Sequence, residues 1–138
     1  MKHLVTYKYK YILLLIAGTL FLTASLYAEE ETHKTSINSH FQVSYKSKQE
    51  PIPLNQIHQW VLHVKNNDGQ AVENAMLSID GGMPAHNHGL PTQPLATEIG
   101  NGDYLIEGMK FSMTGTWEMW IQIQTESVTD KVKFMLEF

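Results

Sequence analysis

Apolar and polar residues alternate with a period of two through most of the chain beyond residue 40, the pattern of strands that bury one face. Phe41-Gln42-Val43-Ser44-Tyr45 opens the pattern. Ile57 to Lys65 continues it, with Trp60, Leu62 and Val64 sharing a face, and Val72 to Asp80 places Ala75, Leu77 and Ile79 together. Leu95 to Ile99 and Tyr104 to Met109 predict a hairpin across Gly100-Asn101-Gly102-Asp103. Trp117 to Gln124 is the most regular segment, with Trp117, Met119, Ile121 and Ile123 inward, and Lys131 to Phe138 forms the last strand. Pro51-Ile52-Pro53 forbids regular pairing, Asn66-Asn67-Asp68-Gly69 is a turn, and no helical period occurs after residue 28. About seven short strands divided by turns predict an all-β, immunoglobulin-like antiparallel β-sandwich.

The first 28 residues follow a different rule. Lys2, Lys8 and Lys10 precede an apolar run from Tyr11 to Leu22, then Thr23-Ala24-Ser25 and Leu26-Tyr27-Ala28, the order of a secretory signal. Cleavage after Ala28 is preferred over an uncleaved membrane anchor, because Thr19, Thr23 and Ser25 dilute the apolar run. The expected organisation is a signal peptide (or N-terminal anchor) over 1–28, a flexible polar tail over 29–39 and one sandwich domain over 40–138. The product is expected in the periplasm or outside the cell, touching a membrane only if the N-terminal segment stays uncleaved.

Charge and cysteine usage narrow the function. All 14 acidic residues follow Ala28 and three of the 10 Lys+Arg precede it, leaving 7 basic against 14 acidic side chains, a net −7 for residues 29–138 with His neutral. Nucleic acid is excluded as an expected partner. With no cysteine, the domain must be held by its core, and any metal site lacks thiolate.

One stretch departs from the strand pattern: Met83-Pro84-Ala85-His86-Asn87-His88-Gly89-Leu90-Pro91-Thr92. Its prolines favour extended geometry at Met83 and Leu90, so it reads as a stiffened loop at the end of a strand, with His86 and His88 on one side if the backbone stays extended. Met109 and Met113 are expected beside it, from the hairpin that follows. Thioether is a soft donor and imidazole a borderline one, so Met83, His86, His88, Met109 and Met113 together select copper, Cu(I) first and Cu(II) next. Met76, Met119 and Met135 are assigned to the core, His58 and His63 to structural hydrogen bonds, and His33 and His40 to solvent. No nucleophile setting or phosphate-cradling loop is present, and the chain does not read as an enzyme. The rival reading is a metal-free protein-interaction sandwich using the Pro-flanked loop with Trp117 or Trp120.

Gly82 to Gly89, Gly102-Asp103-Tyr104 and Met113-x-Gly115-x-Trp117-Glu118-Met119 resemble the YtkA-like family, which is related to FixH-like proteins. The resemblance covers about Phe41 to Phe138. It maps an M-P-x-H-x-H-G pattern onto Met83, Pro84, His86, His88 and Gly89, and M-x-G-x-W onto Met113, Gly115 and Trp117. It implies an immunoglobulin-like sandwich, export or anchoring, and copper handling with a copper donor or acceptor protein as partner. A membrane-anchored, FixH-like factor in haem-copper oxidase assembly is the alternative that it carries.

Overall fold

The computed structural model describes residues 32–138, which form one compact unit. Among them are nine strands: β1 (His33–Thr35), β2 (Phe41–Ser47), β3 (His58–Asn66), β4 (Met76–Met83), β5 (His88–Gly89), β6 (Leu95–Gly100), β7 (Asp103–Met109), β8 (Thr116–Gln124) and β9 (Thr129–Glu137). They build two antiparallel sheets, in the order β1-β2-β3-β7-β6 and β5-β4-β8-β9. The all-β sandwich expected from the alternation is therefore the fold. The two strands beyond the expected seven are the short ones, β1 and β5. The expected signal or anchor, residues 1–28, lies outside the described residues; within them no helix is long and apolar enough to cross a membrane.

The inward faces of both sheets supply one core. Trp60 on β3 and Trp117 on β8 are buried in it from opposite sheets, and both contact Phe111, at ring separations of 5.9 and 5.3 Å. Phe111 itself follows the end of β7 and bridges in parallel to Leu54, so the irregular 48–57 stretch closes over the core there. Of the three methionines assigned to the core, Met119 is buried, whereas Met76 and Met135 are 65% and 50% exposed. Parity explains the difference: Leu77 and Ile79 on β4, and Phe134 and Leu136 on β9, take the inward positions, so their methionine neighbours face out.

The polar stretch expected as a flexible tail contributes structure. His33–Thr35 pairs with β2, and Ser36 is buried. The cause lies far along the chain, in the buried carboxylate of Asp130 on β9. It accepts hydrogen bonds from Ser36 Oγ (2.6 Å), the backbone N–H groups of Asn38 (3.1 Å), His40 (3.3 Å) and Lys131 (2.8 Å), and meets His40 Nδ1 at 3.1 Å. His40 is thus engaged with Asp130 instead of being solvated alone. Burial by itself would raise the Asp130 pKa; these donors outweigh it and hold the carboxyl far below its ordinary value of 3.8.

Candidate metal centre

The site begins where β4 stops being regular. Pro84 cannot continue the ladder, and Pro84–His86 instead forms one 3-10 turn that closes on Asn87 in the left-handed region (φ 53°). Met83 before it is extended, as expected (φ −110°, ψ 100°). The turn overturns the simple extended picture of His-x-His: His86 ends the turn, while His88 has returned to the sheet as β5, opposite Met83. Both rings are exposed, with centres 6.0 Å apart. Two imidazoles bonded through nitrogen to one ion have centres about 5–6 Å apart, so the pair stays within a shared reach.

The Nδ1 of His88 lies 3.0 Å from the Gly89 carbonyl oxygen, which can only accept, so Nδ1 carries a hydrogen and, in the neutral ring, Nε2 presents a lone pair. That lone pair faces the Met113 sulfur at 3.4 Å. In the neutral ring two electron donors therefore face each other. Across that separation the Nε2 nitrogen and the thioether sulfur could both reach one ion.

The second sequence motif builds the other wall. Trp117, buried, stands edge-on to His88 at 5.5 Å and donates its Nε1–H to the Met113 carbonyl at 3.0 Å, fixing both partners of the pair. Gly115 has φ 119°, and a β-carbon there would come within 2.7 Å of the Met83 methyl, so only glycine lets this loop pass over Met83. Gly115 is also bonded in both directions to Phe138, at 2.8 and 3.2 Å, which ties the loop to the end of β9.

The five expected ligands separate into three groups. His86 and Met113, the latter 40% exposed, each adjoin the exposed His88 at the surface. Met83 lies beneath them in the core and roots the loop. Met109 is not brought to the site: it ends β7 on the inward face, buried opposite His58. Its parity matches that of Phe111, and only because the strand stops at Met109 does Met113 escape inward burial. His58 and His63 make the structural bonds expected of them, His58 Nδ1 to the Gln56 carbonyl (3.2 Å) and His63 Nδ1 to Asp103 (2.5 Å). Among the described residues no three His, Cys, Asp or Glu side chains are grouped to hold an ion, so the donor set here is mixed imidazole and thioether.

Sequence reasoning did not single out the shallow pocket of about 370 Å³ that adjoins His88, walled by Asp80, Glu118 and Trp120 and floored by Gly81, Gly82 and Gly89. These three side chains occupy the outward positions of β4 and β8, readable from parity, but their neighbourhood depends on the β4–β8 register.

Fold and site together define a β-sandwich domain with an imidazole and thioether cluster at one corner. The chain belongs to the YtkA-like family, whose model matches residues 31–122, a span that includes both motifs. The crystal structure of a DUF4426 family protein from Pseudomonas aeruginosa PAO1 shares the fold, with a TM-score of 0.54 at 9% identity over 79% of this chain and 96% of that one. No curated protein matches the sequence.

Proposed function

We propose that this protein is an exported copper-binding protein that carries or sequesters the ion, as a metallochaperone or in copper tolerance, through His86, His88 and Met113. The observation that carries the reading is the His88 Nε2 nitrogen held 3.4 Å from the Met113 thioether by two separate supports, the Gly89 carbonyl on one side and Trp117 on the other. An imidazole nitrogen and a thioether favour Cu(I) over harder ions, with Cu(II) next. The cluster is exposed, which suits exchange with a donor or acceptor protein better than permanent retention. The basic, apolar and small-residue order of residues 1–28 supports export to the periplasm or outside the cell. No reaction is assigned to the site.

The test is Cu(I) titration of the protein against a competing chelator. One equivalent should bind, and His86→Ala/His88→Ala and Met113→Ala should each weaken it at least about tenfold, the equivalent of about 1.4 kcal/mol. Acidification should weaken binding through the imidazoles, because protons compete for the nitrogen lone pair and not for the thioether. Unchanged affinity in the histidine variant removes the site as drawn. Absence of copper binding by the wild type hands the loop to the protein-interaction reading.

A further inference from the structure

Five aromatic rings run in continuous contact from the His86/His88/Met113 cluster through the core to Tyr45 on β2. His88 meets Trp117 at 5.5 Å, Trp117 meets Phe111 at 5.3 Å, Phe111 meets Trp60 at 5.9 Å, and Trp60 stacks on Tyr45 at 4.4 Å with 14° between planes. The three central rings are buried, and Tyr45 on β2 is partly exposed. Packing accounts for rings in these places but not for the choice of indole. Among the described residues Trp60 Nε1 is buried without a hydrogen-bond partner, a defect costing about 1–3 kcal/mol that a phenyl ring would not incur.

Indole and phenol are the aromatic side chains that release an electron most readily, and the phenol, once it can lose its proton, ends the series. We propose that Trp117, Trp60 and Tyr45 form a hole relay that draws oxidising equivalents away from the His86/His88/Met113 cluster, with Phe111 as the electronic bridge between the indoles. The source of those equivalents rests on the copper reading. Copper held by these residues would supply them: one electron passed from Cu(I) to hydrogen peroxide would leave Cu(II), hydroxide and a hydroxyl radical. That radical takes one electron from Trp117 and one proton from water to become water. Trp117 is refilled from Trp60, and Trp60 from Tyr45, whose phenol returns a proton to solvent and leaves a phenoxyl radical for a small reductant such as ascorbate.

The nitrogen environments suit hole transfer. Trp117 Nε1–H is held on a carbonyl, a very weak base, and Trp60 Nε1–H has no acceptor among the described residues, so neither oxidised indole is trapped by losing its proton. His58 Nε2, on a ring 6.3 Å from Trp60, is likewise without a partner, so it does not accept from that indole. What the relay protects is the donor set itself, since a thioether oxidised to sulfoxide loses its soft lone pair.

Two arms test the relay. In the first, the metal-free full chain is oxidised by azidyl radicals in pulse radiolysis. Tryptophanyl absorbance should decay as tyrosyl absorbance grows, at a rate independent of protein concentration, and Tyr45→Phe should remove most of that growth. No intramolecular transfer in the wild type, or transfer unchanged in Tyr45→Phe, overturns the proposal whether or not copper binds. In the second, copper-loaded protein is treated with peroxide and its peptides are weighed. Tyr45→Phe and Trp60→Phe, which keep a ring in place, should accumulate Met113 sulfoxide and oxidised histidine several-fold faster than the wild type; equal rates overturn the protective role.

Discussion

A β-carbon on Gly82 would collide with the carbonyl oxygen of His88 and come within 2.9 Å of the Gly89 Cα. The return of β5 onto β4, and with it the aim of the His88 ring, therefore requires a bare backbone at that position. Gly82→Ala should push His88 off its line to Met113. Copper affinity, read by chelator competition, should fall at least about tenfold, with a stability loss of about 1–3 kcal/mol from overpacking in a denaturant titration.

Met109 and Met113 should respond in opposite ways. Met109→Ala removes a fully buried side chain and should cost about 2–5 kcal/mol of stability while leaving copper affinity unchanged. Met113→Ala should weaken copper binding and leave the urea midpoint nearly where it was.

Asp130 should govern acid stability at the strongly acidic end. Its folded carboxyl titrates well below 3.8, so its contribution is complete above that value and is lost as pH falls from there toward the folded value. Asp130→Ala orphans the Ser36 hydroxyl and several backbone N–H groups, and should cost about 3 kcal/mol near neutrality. Hydrogen exchange at Val43 and Tyr45, whose amides face β1, should quicken in the same variant as β1 loses its anchor.

His58 should act on the mildly acidic side. Burial disfavours its imidazolium, only partly offset by the Gln56 carbonyl, and lowers its folded pKa below 6.5. The unfolded chain then binds the proton that the native state refuses, so stability is full above about pH 6.5 and declines as pH falls below it. Urea midpoints measured at pH 5 and pH 7.5 should differ in the wild type and converge in His58→Phe.

The long strands were legible because each buries one face, and a one-residue slip would have turned Trp60 or Trp117 into water. His33–Thr35 carries no such alternation, and its strand exists because of a carboxylate 94 residues distant from Ser36, which no local window contains. The His and Met motifs were legible as chemistry, but their geometry was not. Period two would have sent Met109, Phe111 and Met113 to the same face, and only the end of β7 separates the exposed sulfur from the buried one. The 3-10 turn at Pro84 likewise replaced the extended His-x-His spacing with a fold-back whose partner, Gly82, carries no side chain to advertise it.

The Ser36 to Asp130 bond also sets an order of events. Because it joins the first strand to the last, the opening residues cannot commit to their final place until the closing strand is present. A chain synthesised N-terminus first would hold residues 33–36 uncommitted until nearly all of it had been made, and then close in a late step.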